Sequence, residues 1–128
     1  MDMNQSIAVI MCDLNGLKKI NDSLGHPAGD KYICDAAEIL VSCFDDQNVY
    51  RVGGDEFIIV LQGITKADLT IRTDRLQLYA DLKKISLSFG VSYRTNSKEH
   101  FETLLREADK KMYVQKKHYY ENLSLSRE

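Results

Sequence analysis

The segment from Val49 to Leu61 constrains this chain most, because two apolar runs there flank the pair Gly53-Gly54. Adjacent glycines tolerate positive φ, and between short β-prone runs they predict a tight two-residue hairpin. Such a hairpin commits the sheet to antiparallel pairing and carries Asp55 and Glu56 at its tip. A strict alternation of strand and helix around an all-parallel sheet is thereby excluded.

The remaining periodicity arranges itself around the hairpin. Ser6–Cys12 is apolar after its first residue and reads as a strand buried on both faces. Asn15 is placed to N-cap a short helix with Leu17, Ile20 and Leu24 on one stripe, and Gly25 before His26-Pro27 ends it. A second helix runs from about Ala28 to Cys43, with Ile33, Ala37, Leu40 and Phe44 in line. Thr65–Lys84 reads as a third helix whose apolar residues are Leu69, Leu76, Leu78 and Leu82. Ile85, Leu87, Phe89, Val91 and Tyr93 then alternate with Ser86, Ser88, Gly90 and Ser92, the pattern of a strand with one face in the core. A last helix from Phe101 to about His118 stacks Phe101, Leu104, Leu105, Ala108 and Met112, and Asn122–Glu128 reads as a short edge strand or a frayed tail. The order predicts an α+β, palm-like fold: a mixed, largely antiparallel central sheet of about five strands flanked by helices, with the double-glycine hairpin in it.

Composition narrows the partners. A chain of 128 residues, 44% hydrophobic and 28% charged, is a globular domain and too short for two. Lys and Arg number 17 against 19 Asp and Glu, and a net charge of -2 offers no whole-chain attraction to nucleic acid or anionic membrane. The longest apolar run, Ile7–Cys12, falls far short of the ~20 residues of a membrane span. Met1–Gln5 lacks the basic segment and cleavage site of a signal peptide. Cys12, Cys34 and Cys43 are odd in number and fall inside apolar patterns, so they read as buried, reduced core thiols in a cytoplasmic setting.

Chemistry begins with the carboxylates. Asp13 ends the first buried strand; if that strand lies beside the hairpin, Asp13, Asp55 and Glu56 converge. Clustered carboxylates repel, so such a site binds a cation or raises a pKa. Oxygen-only ligands favour Mg²⁺ or Ca²⁺ over zinc. The plainer account has Asp13 capping a helix and the hairpin acids solvating a turn. Lys18 and Asn21, three apart on the first helix and off its apolar stripe, face either a ligand or solvent. Asp30, in the first turn of the second helix, complements the helix dipole. It can equally accept hydrogen bonds from the N1–H and N2–H₂ donors of guanine, a pair that adenine lacks. Lys116 follows Met112 by four residues and sets a charged head on the apolar stripe. It either snorkels at a helix end or aims a cation across the core edge at phosphate. Lys110, Lys111, Lys116 and Lys117 beside Tyr113, Tyr119 and Tyr120 are a weak nucleic-acid signal without an excess of positive charge elsewhere.

Together these residues resemble a known family. Gly53-Gly54-Asp55-Glu56-Phe57 reproduces the signature that names the GGDEF domain of diguanylate cyclases. Asp13 to Asp22 resembles that family's D-x-D-x-F-K-x-I-N-D segment, and Gly25-His26 with Gly29-Asp30 its G-H-x-x-G-D continuation. Ser88-Phe89-Gly90 resembles the S-x-G strand, and Ala108-Asp109, Met112-Tyr113 and Lys116 the A-D-x-A-L-Y-x-A-K helix. The blocks follow in family order from Ile7 to about Lys117. The resemblance implies condensation of two GTP into cyclic di-GMP with release of pyrophosphate. Asp13, the backbone carbonyl of Leu14 and Asp55 would hold Mg²⁺, or Mn²⁺ in its place, with Glu56 a further ligand or the base for the attacking 3′-hydroxyl. Asn21, His26 and Asp30 would bind guanine and ribose, Lys18 and Lys116 the phosphates, and Gly53 and Gly54 would let the backbone approach the nucleotide. One GTP per domain implies turnover across a homodimer, with an upstream sensory or dimerising domain as partner.

The departures define the rival. Leu17 stands for the usual Phe, Asn15 for the second Asp, and Tyr120 for an Arg four residues after the helix Lys. Phe44-Asp45-Asp46-Gln47 occupies the window of the R-x-x-D product site, so feedback inhibition through it is expected to be absent. The D-x-L-T-G-L-x-N-R leader is missing, and Gln62–Lys84 is short. Residues 1–128 therefore read as one GGDEF domain without its leader, a part of a larger signalling protein. The alternative is a catalytically weak or inactive GTP-binding or partner-binding module.

Overall fold

All eight residues of strand β1, Ile7–Leu14, are buried, so both faces of the sheet must be covered. The computed structural model describes residues 4–126. After β1 come helices α1 (Leu17–Leu24) and α2 (His26–Phe44), and a short 3₁₀ turn at Asp46–Asn48. Strands β2 (Val49–Arg51) and β3 (Glu56–Gln62), helix α3 (Lys66–Lys83), strand β4 (Leu87–Arg94) and helix α4 (Phe101–Ser126) complete the chain. The sheet order is β2-β3-β1-β4 and every pairing is antiparallel. This is the expected α+β arrangement, with four strands among the described residues rather than about five.

Each row of β1 packs against its own layer. Ala8, Ile10, Cys12 and Leu14 join a core completed by Leu40 and Phe44 of α2 and Leu69 and Leu76 of α3. Ile7, Val9 and Met11 meet Leu104, Ala108 and Met112 of α4 on the opposite face. Strand β4 puts its large residues on the main core as the alternation predicts, but its other face is covered as well. Leu87, Phe89, Val91 and Tyr93 are only partly buried, whereas Ser88, Gly90 and Ser92 are buried beneath α4. A Cβ at Gly90 would overlap the Ala108 carbonyl oxygen and the Met112 nitrogen, so helix and strand backbones touch there. The Ser92 hydroxyl donates to the Leu104 carbonyl at 2.8 Å. The small-residue face is thus the helix-docking face.

Local signals hold in some places and are overruled in others. Thr65 caps α3 by accepting from the Asp68 N–H at 3.1 Å, and Gly25 closes α1 at φ 89. Asn15 does not cap α1; Gly16, at φ 76, stands at that position. The Asn15 side chain is buried instead, donating to Ser86 Oγ at 3.1 Å and accepting from Ser88 Oγ at 3.0 Å. Leu24, Leu78 and Leu82 are exposed, because α1 packs on α2 rather than on the sheet and α3 turns Leu69, Leu76 and Ala80 inward. Gly53 and Gly54 do not adopt positive φ. The Val52 N–H donates to the Glu56 carbonyl at 3.0 Å, which leaves a three-residue loop, Gly53–Asp55, in place of a two-residue turn. Arg51 ties that loop by donating to the Gly53 and Gly54 carbonyls at 3.1 and 2.9 Å.

The C-terminal reading is also corrected. Residues 122–126 continue α4 as helix, while 127–128 lie outside the described residues. Cys12 and Cys43 are buried and their thiols are pushed up by burial, but Cys34 is exposed on the outer side of α2. Among the described residues no helix is long and apolar enough to cross a membrane.

Candidate active site

Pairing of β1 with β3 sets Asp13 opposite Glu56. The Leu14 N–H donates to the Asp55 carbonyl at 2.8 Å and fastens the hairpin tip to the strand end. Carboxylate oxygens of Asp13, Asp55 and Glu56 consequently lie within 4.8 Å of one another. Asp13 is only 2% exposed, and the other two acids are half-buried.

Burying a carboxylate between two others is costly unless a cation meets it. Helix α4 supplies one: Lys116 Nζ donates to Asp13 Oδ2 at 2.7 Å. Burial nevertheless holds the Asp13 carboxyl above its usual range; Lys116 pulls it down, and the charges of Asp55 and Glu56 push it up. The Lys116 ammonium is raised in turn, chiefly by its hydrogen bond to Asp13. Asp13 Oδ1 is buried with no hydrogen-bond partner. An orphaned carboxylate oxygen beside two further carboxylates is a donor set that suits a hard divalent cation and not a soft one. The residues therefore fit Mg²⁺ or Mn²⁺.

A cleft of about 610 Å³ opens beside the acids. Leu14, Gly16, Leu17, Lys18 and Asp55 line one side, and Tyr119, Tyr120 and Leu123 of α4 line the other. Gly53 and Gly54, which precede Asp55, are exposed and do not line the cleft; a Cβ on Gly54 would meet nothing within 4 Å. Of the expected site residues, Asp13, Leu14, Lys18, Asp55, Glu56 and Lys116 thus gather at one end of the sheet. Asn21, His26 and Asp30 do not line this cleft; they lie along the α1–α2 junction. Asn21 is half-buried, its side chain filling the space where a Gly29 Cβ would stand; His26 and Asp30 are exposed, and because α2 already begins at His26, Asp30 lies beyond its first turn and not in it as expected. A second cavity, of about 580 Å³, lies at the far end of β3 beside Gln62 and Gly63. Its charged lining is internally paired, Arg72 with Asp68 at 3.1 Å and with Asp45 at 3.6 Å.

Two contributions escaped the sequence reading. Asn15 and Tyr32 brace the chain just after Asp13, the Tyr32 hydroxyl donating to the Asn15 carbonyl at 3.0 Å and accepting from the Ser86 N–H at 2.9 Å. The last turns of α4 wall the cleft, and Lys116, Tyr119 and Leu123 follow Met112 at helical spacing, a signal available in the sequence.

The family described as diguanylate cyclase, GGDEF domain, matches residues 1–122. The chain belongs to the GGDEF domain family. Diguanylate cyclase A of Treponema denticola is 29% identical over 98% of the chain, which spans 37% of that protein. The cyclic di-GMP phosphodiesterase PdeR of Escherichia coli is 28% identical over 88% of the chain, which spans 18% of it. The chain therefore covers well under half of these relatives. Among solved structures, the active GGEEF domain of a diguanylate cyclase from Vibrio cholerae aligns with TM-score 0.74 and 29% identity, over 89% of this chain and 78% of that one. In this GGDEF domain Tyr119 and Tyr120 meet edge to face at 5.0 Å between ring centroids. The Tyr119 hydroxyl lies 3.3 Å from where a Gly16 Cβ would stand, so Gly16 serves both its left-handed φ and this close packing.

Proposed function

We propose that this GGDEF domain binds GTP with Mg²⁺ and condenses two GTP into cyclic di-GMP, releasing two pyrophosphates. The observation that carries the reading is the convergence of Asp13, Asp55 and Glu56, together with the missing hydrogen-bond partner of Asp13 Oδ1. Asp13, Asp55 and the Leu14 carbonyl hold the ion, with Mn²⁺ able to replace Mg²⁺. When bound, the ion would neutralise triphosphate charge and favour loss of the attacking hydroxyl's proton. Glu56 completes the ligand set or accepts the 3′-hydroxyl proton. The deprotonated oxygen attacks the α-phosphorus of the facing GTP, and the bond from that phosphorus to pyrophosphate breaks. Lys18 and Lys116 bind the phosphates and Gly53-Gly54 leaves room for them. Asn21, His26 and Asp30 hold guanine and ribose at the α1–α2 junction.

Among the described residues one cleft adjoins the three acids, so both bonds form only when two domains face each other across a two-fold axis. The same reading implies a cytoplasmic location, where GTP is supplied, and a sensory or dimerising domain that brings two copies together. A second reading, a GTP-binding module with little turnover, is favoured by Tyr120 standing where the family carries an arginine and by the α4 wall across the cleft. Incubation with GTP and Mg²⁺ followed by chromatography for cyclic di-GMP decides between them. Product should form with a specific activity that rises with protein concentration, and Asp55→Asn should lower it at least ~100-fold, the loss expected when a charge-stabilising group is removed. GTP binding by calorimetry with no product, even from enforced dimers, would establish the second reading.

A further inference from the structure

We propose that Lys116 is a resident cation of the metal site: it holds Asp13 while no ion is bound, opposes uptake of a free divalent ion, and moves to phosphate when ion and nucleotide arrive together. The inference rests on the function proposed above and assigns Lys116 a task before substrate binds.

The geometry supports an exchangeable partner rather than a fixed strut. The Asp13 side chain is 3% exposed and anchored at the end of a fully buried strand, whereas that of Lys116 is 31% exposed on a flexible stem from α4. Asp13 can hardly move; the ammonium can. Lys116 also satisfies only half of its partner, bonding Oδ2 and leaving Oδ1 without a hydrogen bond, in a carboxylate that has an oxygen within 4.8 Å of Asp55 and Glu56. Three carboxylates less one ammonium leave a site that still attracts a divalent ion, but with one unit of charge less than the acids alone would offer. An incoming nucleotide changes that balance, because its phosphates give the ammonium a new anionic partner and join the ion's oxygen ligands. The pairing thereby favours uptake of the ion as its nucleotide complex over uptake of the free ion.

The test is Mn²⁺ titration of the folded domain without nucleotide, with free Mn²⁺ followed by electron paramagnetic resonance. Lys116→Met keeps the aliphatic stem without the charge, and Lys116→Gln keeps a donor to Asp13 without the charge. Both should bind Mn²⁺ at least tenfold more tightly than the wild type, about 1.4 kcal/mol, and both should bind Mn²⁺-GTP more weakly. Lys116→Arg, which keeps the charge, should stay within about threefold of the wild type for free Mn²⁺, a shift well below that tenfold step. Structural damage does not tighten an ion site, so the gain separates a resident cation from a prop. Unchanged or weaker Mn²⁺ binding in both uncharged variants overturns the inference and leaves the proposed function standing. A wild type that takes up Mn²⁺ neither alone nor with GTP overturns both.

Discussion

Asp13 is a residue whose local sequence admits two roles, helix cap or ion ligand, and the surrounding structure removes the first. Helix α1 is entered through Gly16 without a side-chain cap. The Asp13 carboxylate is spent on Lys116 and on an orphaned oxygen. A buried charge of this kind serves function at the expense of stability. Asp13→Asn should therefore melt no lower than the wild type in metal-free buffer at neutral pH, gaining up to ~1 kcal/mol. Mn²⁺ should raise the melting temperature of the wild type and leave that of the variant unchanged. Calorimetric scans with and without Mn²⁺ check both halves, and a variant still stabilised by the ion would remove Asp13 from the ligand set. Asn15, two residues on, teaches the complementary lesson. Its type suits a cap, but the hydroxyls of Ser86 and Ser88 claim its side chain, and Tyr32 its main-chain carbonyl.

Between residues and elements, the contact of β4 with α4 is the tightest joint. Gly90 is required there for space, not for φ. Gly90→Ala must push Ala108 and Met112 backbone atoms away, and backbone cannot yield as a side-chain end does. Overpacking of this kind costs about 1–3 kcal/mol and occasionally more. The expected outcome is a loss at the upper end of that range by urea denaturation; a loss under ~0.5 kcal/mol, the size of an ordinary surface change, would mean that α4 sits farther from the strand. Because α4 also carries Lys116, the same variant should disturb the Asp13 pairing. Alternation in 85–93 revealed the strand and the face that packs on the main core, but not that the small-residue face is covered too and lies deeper. Period two says that the faces differ, and only the partner layer decides whether large or small residues lie deeper. The α3 leucines carry the same message, since Leu78 and Leu82 have the right type and the wrong angle.

For the whole molecule, ion pairs join the α4 layer to the sheet. Arg94 of β4 bonds Glu107 of α4 at 2.7 Å, and Lys111, one turn along α4, reaches the same carboxylate at 3.3 Å and donates to the Val91 carbonyl of β4 at 3.0 Å. The Arg94 guanidinium, first, and Lys111 hold the Glu107 carboxyl below its ordinary value of 4.5. A lowered folded value means that the unfolded chain binds protons more readily. The stability from Glu107 is therefore full above pH 4.5 and is lost as pH falls through the folded value. With about a third of the side chain exposed, solvent screening keeps the contribution under ~1 kcal/mol. Glu107→Gln should be slightly less stable than the wild type at pH 7, and the two curves should converge below pH 4.5 in urea melts taken across pH. A gap that persists into acid would point to lost packing instead of lost charge.

The linear chain determined the class of fold and the family, and it marked the residue types from which a site could be built. Local periods and the double glycine are properties of neighbouring residues, so strand β1, the hairpin, the helices and the acids at their ends were legible without any long-range information. Which of those acids meet was not. Asp13, Glu56 and Lys116 come together because β1 lies between β3 and β4 and α4 folds back across it, bridging 103 residues between Asp13 and Lys116. Strand register, the depth of each face, the partner of Asn15 and the wall formed by the end of α4 likewise depend on which layer lands on which. Sequence spacing encodes local geometry within a turn or a pleat; convergence at a site is a property of packing, which only the folded layers decide.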